Sequence, residues 1–430
     1  MGIAIIIILI IIDSLISIRG IVKKELLTPY TIFGLVWAFI FIVYLFSYNT
    51  WYKISMETVT VFFIGNMVFL FSSFISTNSI SRMPQNVLLK DKEKASGDLN
   101  DITINNKILF IILMIISFIS LTEIAITNLN YIRSGLSFNE IDINNIINSS
   151  SAFNKMISVL FVTPFMYAIC PILALETICG KRRTWVILSI VTLIVINIFY
   201  YHKRAILIYL IVSFIVIILF NKSNTKISLN QPQKSIRGRI ITLTLFGACL
   251  AGIIWISHMR GTSILSSFNA YFSGCIPSFD VRIKNINQHY YGLAFLHGIL
   301  APIMIGFKGI FGIEYPVLWT KLNMLIESAD YVQVGPNAVL NAFNSLYYAS
   351  YIDGGLIGII IEMGIYGFIA GKLYKRAYMR GSSKDIYYYA IIVIGLVCSM
   401  FTLYFTQYPY VLSFILIYFL CRKPKHKVKL

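Results

Sequence analysis

Charge is scarce in this chain, and acid is scarcer than base. Only 13% of its 430 residues are Asp, Glu, Lys or Arg while 57% are hydrophobic, a balance that no single soluble core could keep from water. Cysteine is also sparse. Cys170, Cys179, Cys249, Cys398 and Cys421 fall in or near apolar runs, leaving Cys275 as the single one clearly outside them, so no disulfide framework is expected. There is no CxxC, no HExxH and no phosphate-binding GxxxxGK[ST] loop, which removes the usual grounds for zinc chemistry and nucleotide hydrolysis. The internal repeats that mark many secondary transporters are missing too.

What the chain does have is long apolar runs. Segments at 2–18, 29–48, 57–76, 107–128, 155–178, 185–201, 205–220, 240–257, 355–374, 387–406 and 408–421 approach the roughly 20 residues that a helix needs to cross a bilayer. They predict an all-α polytopic integral membrane protein with about 11 transmembrane helices. The first run has no basic residue before it and no small-residue cleavage site after it, and reads as a retained span.

The formal charge of +18 invites nucleic acid as a partner, but its placement points to a membrane instead. Taking the loops alternately, one set holds 26 of the 36 Lys and Arg residues. The positive-inside rule makes that set cytosolic, with the C-terminal tail inside and the N-terminus outside. Three regions follow: an N-terminal bundle at 1–257, a large external loop at 258–354, and C-terminal spans with a basic tail at 355–430. Crossing by the apolar run 293–310 alone would place the basic 372–384 loop outside, unless a second crossing hidden in 310–334 restored the parity. The run is therefore expected to be re-entrant or interfacial, a placement that needs protein or a wet cavity to satisfy its backbone.

Ionisable residues inside the runs are few. Asp13, Glu123, Glu176 and Glu362 sit near run ends or on one face, the setting of a snorkelled or solvated side chain. The outer residues say more. His258 and Arg260 follow a span, Arg282 and Lys284 come one loop later, and Lys203 and Arg204 occupy a tight external turn where the charge rule disfavours them. Guanidinium forks match phosphate oxygens and stay charged at physiological pH. Held at this boundary, such cations would neutralise a departing pyrophosphate without a metal. Anchoring to lipid headgroups is the plainer reading of each.

Pro336 to Asp353 reads as a helix carried on the external loop, since proline suits a first turn. Asn337, Asn341 and Asn344 then share one face, where amides could serve sugar hydroxyls, or simply meet water. Asp353, before Gly354 and Gly355, is a candidate base or sugar-binding carboxylate. Glu140 and Asp142 form an acidic pair of the kind some membrane glycosyltransferases use for a metal, in a loop with little else to support that role.

At these positions the chain resembles a family. Tyr201-His202-Lys203-Arg204, His258-Met259-Arg260-Gly261, the run Tyr271 to Pro277, Pro336-Asn337 through Asn344, and Tyr351-Ile352-Asp353-Gly354-Gly355 with Gly358 look like the Wzy O-antigen polymerases. The resemblance covers layout along nearly the whole chain, while each local motif is short and divergent. It implies a metal-independent, cofactor-free, GT-C-like glycosyltransferase of the bacterial inner membrane with its active site facing the periplasm. Such an enzyme joins undecaprenyl-diphosphate-linked oligosaccharide repeat units into lipopolysaccharide O-antigen or a related surface polysaccharide, releasing undecaprenyl diphosphate. By analogy Arg204, Arg260 and Arg282 hold the diphosphate, with His258 or Asp353 as base, and Lys203, Lys284, Tyr271, Asn337, Asn341 and Asn344 as substrate contacts. Membrane lipids, a chain-length regulator and a flippase of the same pathway are the implied partners, and no nucleic acid. An O-antigen ligase delivering glycan to lipid A core, or a lipid-linked oligosaccharide flippase, are the rivals. A flippase would favour charges lining the spans over a long outer loop.

Overall fold

The structure is a computed structural model in which residues 2–79, 106–134, 156–179, 187–188, 190–194, 205–224, 247, 264–327, 331–340 and 344–422 are described. The chain is mostly helical, with one two-stranded hairpin among the described residues. Among the described residues five helices are long and apolar enough to cross a membrane: Gly2–Val22, Pro29–Phe46, Met56–Asn78, Leu160–Ile178 and Ser345–Arg380. This is an all-α protein of membrane-spanning type. The expected runs at 185–201 and 240–257 lie largely or wholly outside the described residues.

In chain order the helices are α1 (Gly2–Val22), α2 (Pro29–Phe46), α3 (Met56–Asn78), α4 (Lys107–Arg133), α5 (Thr163–Cys179), α6 (Ala205–Asn224), α7 (Ile264–Ser273), α8 (Cys275–Ile283), α9 (His297–Phe311) and α10 (Val317–Glu327). After them come strands β1 (Val332–Gly335) and β2 (Ala338–Leu340), then α11 (Ser345–Arg380), α12 (Ser383–Val397) and α13 (Tyr408–Cys421). The chain divides into two compact units, the first made of 1–85, 265–376 and 392–408 and the second of 86–264, 377–391 and 409–430.

In the second unit, small and aromatic side chains hold α4, α5 and α6 together. Ser120 and Ser158 hydroxyls meet at 2.5 Å. Tyr167 stacks on Tyr209 at 4.9 Å, and the Tyr410 hydroxyl donates to the Ile391 carbonyl.

In the first unit, α1 and α2 approach closely because glycine removes the side chains in the way. A Cβ at Gly20 would stand 2.1 Å from Thr31 Oγ1, and one at Gly34 would stand 3.0 Å from the Asp13 carbonyl oxygen. Pro29 opens α2, a position where its missing N–H costs nothing. Ser55 caps α3 by accepting from the Thr58 N–H. Phe33 stacks on Phe69 at 4.0 Å, and Trp37 lies 5.4 Å from Phe62, so α2 and α3 share an aromatic seam.

α11 is two helices joined by a sharp break. Gly354 and Gly355 have non-helical backbone, and the Gly355 pair φ 58°, ψ −135° is open only to glycine. The first limb, 345–353, lies against α3 in the opposite sense: Tyr347 faces Phe62 and Gly65, while Tyr351 bonds Glu57 at the start of α3. After the break the second limb runs parallel to α3, with Gly364, Gly367 and Gly371 set against Val68, Ser72 and Ser76 in turn. The first limb therefore begins deep in the unit and rises to the end where α3 starts. Its N-terminal N–H groups are not left bare. Asn344, Ser345 and Leu346 donate to the carbonyls of Phe401, Met400 and Ser399.

Two expectations are corrected here. No helix starts at Pro336. Pro336 and Asn337 form the turn of the β1–β2 hairpin, because a proline–asparagine pair between short apolar strands is turn chemistry, and the helix begins at Ser345. The expected span 387–406 is α12, which stops at Val397. Residues 398–407 are non-helical apart from a short turn at Tyr404–Thr406, and three of their carbonyls serve the buried limb.

The glycine seam between α3 and α11 is testable. A side chain at Gly367 would meet the Ser72 hydroxyl at 2.1 Å and the Phe69 carbonyl at 2.6 Å, so the helices must part. Gly367→Val should cost about 1–3 kcal/mol, read as a lower midpoint of thermal unfolding in detergent. Ile357→Val on the exposed side of the same limb should leave the midpoint unchanged.

Candidate functional site

The end of the first unit where α3 begins carries a layer of short elements. The Tyr52 N–H donates to the Val334 carbonyl, so β1 is tied to the loop between α2 and α3. Trp51 Nε1 donates to the Ser273 hydroxyl, and Leu340 of β2 packs where Gly274 joins α7 to α8. Both the α2–α3 loop and the 265–340 layer therefore sit at one end of this unit.

Asp280 on α8 is the polar centre of that layer. Its Oδ1 accepts from the Ser55 N–H at 2.7 Å, the Ser55 hydroxyl at 2.5 Å and the Thr58 hydroxyl at 2.7 Å, and its Oδ2 takes Lys284 Nζ at 2.6 Å. Burial pushes this carboxyl up, but the Lys284 and Ser55 hydrogen bonds outweigh that and leave it below its ordinary value. A carboxylate here also faces the N-terminus of α3, whose dipole favours negative charge. Lys284 is thus paired along α8, while Asp280 holds α8 on α3. Arg282 lies two residues along, which on a helix places it on the other side, and it is buried. The two cations do not converge.

A second cluster forms at the break in α11. Asp353 is buried, and both of its oxygens accept backbone N–H groups: Ala294 at 2.9 Å and Phe295 at 2.8 Å. Its carbonyl accepts from Tyr291, and the Ile352 carbonyl accepts from Tyr290. The imidazole Nδ1 of His289 lies 3.2 Å from the same Ile352 carbonyl, and its ring lies beside Gly355. Glu362, one limb further on, brings its carboxyl within reach of Asp353, and its Oε2 has no hydrogen-bond partner. The expected base is therefore a clamp in this arrangement. Asp353 fastens the 290–296 loop to the head of the spanning limb, with no oxygen turned outward.

The interior holds groups that the sequence placed elsewhere. Asp13, Glu176 and Glu362 are between 0% and 4% exposed, so none is snorkelled or solvated as their positions led us to expect. Helix α1 runs on to Val22, which moves Asp13 to its middle. Among the described residues, neither carboxyl oxygen of Asp13 nor either end of the Asn66 amide on α3 has a hydrogen-bond partner, and the same holds for the Trp37 indole N–H and the Tyr347 hydroxyl. Trp37 and Tyr347 rings stand 5.1 Å apart. Glu123's side chain lies outside the described residues.

Of the remaining expected contacts, Tyr271 packs edge-on against Phe401 at 6.0 Å. Asn337 is exposed on the hairpin turn, and Asn344 is buried at the foot of the first α11 limb, so they share no helical face. Lys203, Arg204, His258, Arg260, Asn341, Glu140 and Asp142 lie outside the described residues. Among the described residues no three His, Cys, Asp or Glu side chains gather as metal ligands. The burial of Cys275 pushes its thiol up to about 12, away from reactivity. No family model, curated protein or solved structure matches the chain.

Two predictions follow the geometry. Asp280→Asn should cost about 1–3 kcal/mol at neutral pH, because Lys284 loses its partner and one oxygen becomes a donor facing donors. The carboxyl of Asp280 sits below its ordinary 3.8 when folded, so its contribution is present above that value and fades as acid protonates the folded form. Unfolding midpoints of parent and variant should converge below about pH 4 and diverge above it. Asp353→Asn puts an amide donor against a backbone donor, and hydrogen exchange at Ala294 and Phe295 should rise at least tenfold, with that of α3 unchanged.

Proposed function

We propose that the chain is an O-antigen-type polymerase: an inner-membrane glycosyltransferase with about 11 spans whose short-element layer faces the periplasm. It joins undecaprenyl-diphosphate-linked oligosaccharide repeat units, with attack of an acceptor sugar hydroxyl on the donor's anomeric carbon and departure of undecaprenyl diphosphate. The resemblance at Tyr201 to Arg204, His258 to Gly261 and Tyr351 to Gly358 motivates the reading. The observation behind it is Arg282, a buried guanidinium in the layer at the end of the spanning helices. A cation withdrawn from water binds phosphate oxygens more strongly than one in solution, and it stabilises a leaving diphosphate without a metal.

Arg204 and Arg260 complete the diphosphate site in this reading, and His258 is the candidate base, since Asp353 is occupied as a clamp. Tyr271, Asn337, Asn341 and Lys203 remain sugar or phosphate contacts, whereas Lys284 acts through Asp280. A chain-length regulator and a flippase are the expected partners.

Buried Asp13, Glu176 and Glu362 favour a second reading, a transporter or flippase of the same lipid-linked glycans, because polar groups inside spanning helices mark translocation paths. One experiment separates the two. Purified protein in vesicles receives a synthetic undecaprenyl-diphosphate repeat unit with chelator present. Polymer should form, and Arg282→Ala, Arg260→Ala and Arg204→Ala should each reduce it at least tenfold while eluting as the parent does. Movement of the unit across the bilayer without any new glycosidic bond would establish the transporter reading. Unchanged polymer from the arginine variants would remove the site.

A further inference from the structure

We propose that α9 and α10 form a hairpin seated in the hydrocarbon of a single bilayer leaflet, with lipid acyl chains as the occupant of its outer side. The inference stands apart from the proposed chemistry. On α9, Ile299, Ile303, Phe307 and Ile310 recur at spacings of four, four and three, which places them on one face, and they are between 46% and 73% exposed. The surface continues through Phe311 and Ile313 at the tip to Val317, Leu318 and Met324 on α10. Monomeric soluble surfaces rarely leave so many large apolar side chains contiguous and open.

The start of α9 is packed against protein through His297, Gly298 and Ala301. His297 is buried, its Nδ1 lies 2.8 Å from the Thr406 carbonyl and its Nε2 2.9 Å from the Asn323 side-chain oxygen, and its ring stacks on Trp319 of α10 at 4.9 Å. The base of the hairpin is therefore fixed, and its apolar side is left open by the described residues of the first unit.

Three observations say that lipid, and not water or another protein, covers that side. First, both roots are held at the same end of the first unit: Ala294 and Phe295 by Asp353 at the head of a spanning limb, and Val334 by Tyr52 next to α3. The segment leaves and returns at one side, and α9, at 15 residues, reaches roughly 22 Å, short of the roughly 30 Å of hydrocarbon. Second, the roots carry exposed tyrosines, Tyr291 before the hairpin and Tyr331 after it, the residue type that settles where headgroups meet acyl chains. Third, charge is sparse along the hairpin: the charged side chains of 297–326 are Lys308, Glu314 and Lys321, the last exposed on the face of α10 that carries Val317 and Met324. Lys308 pairs with Glu314 at 2.9 Å and lies over the Tyr315 ring, so the one ionic contact at the tip is internally matched. A protein-binding patch would more often be rimmed by open charges.

The test uses the full chain in phosphatidylcholine–phosphatidylglycerol vesicles, with a bimane label on cysteine introduced at Ile303, at Phe307 or, as an aqueous reference, at Asn337, each signal corrected by the labelled parent. Lipids brominated along the acyl chain should quench 303 and 307 at least twofold more than 337, and aqueous iodide should show the reverse order. Iodide quenching at 303 and 307 equal to that at 337 would place the face in water and overturn the proposal. Resistance of both positions to bromolipid and iodide alike would place protein over the face, and would overturn it too.

Discussion

A helix that begins inside a bundle must find partners for N–H groups that no water can reach, and the first unit is arranged around that requirement. The first limb of α11 starts deep, at Ser345, and needs three carbonyls. α12 supplies them by ending early at Val397, which frees Ser399, Met400 and Phe401 from helical pairing. Each interruption would be costly alone, since an unmet backbone group in an apolar interior costs several kcal/mol. Together they cancel. The consequence travels upward along the limb to Gly354 and Gly355, where the chain must reverse. That reversal exposes the Ile352 and Asp353 carbonyls and the Asp353 carboxylate to the 289–296 loop, which takes all of them. The layer at this end thus rests on a deficit settled at the opposite end of a nine-residue helix.

The apolar runs were legible because burial in lipid selects on composition alone. Runs at 29–48, 57–76 and 408–421 differ from α2, α3 and α13 by a few residues at most. The limb 345–353 was not legible as a buried element. Its sequence SLYYASYID is short, mixes small, aromatic and polar residues, and is buried nearly throughout, so it shows neither the length of a span nor the stripe of a surface helix. The asparagines at 337, 341 and 344 made a helical face by spacing alone, and periodicity cannot tell a face from a turn followed by a helix start. Pro336-Asn337 between Val332–Val334 and Ala338–Leu340 was the competing signal, and it governs the structure.

The carboxylates were misplaced for a related reason. Distance from a run's edge stands in for depth only if the edge is right. Arg19 ends the apolar run but α1 continues to Val22, so Asp13 moves inward. Its backbone is met by Gly34 of α2, a residue distant in sequence that leaves no local mark around Asp13. Lys284 shows the opposite case. Its four-residue spacing from Asp280 was a visible ion-pair signal, and the pair is what forms.

Satisfaction of hydrogen bonds sorts the polar residues of this unit by the work they can do. Asp280 and Asp353 spend both oxygens on the fold, and removing either would loosen a joint before it altered any chemistry. Asp13 and Asn66 are as deeply buried, yet their side-chain polar atoms have no hydrogen-bond partner among the described residues, so packing alone does not account for them. Burial of a carboxyl without partners is expensive, and the fold could have met the same packing need with an apolar side chain of similar size at less cost. Asp13 and Asn66 are therefore among the buried polar side chains that packing in the middle of α1 and α3 does not explain.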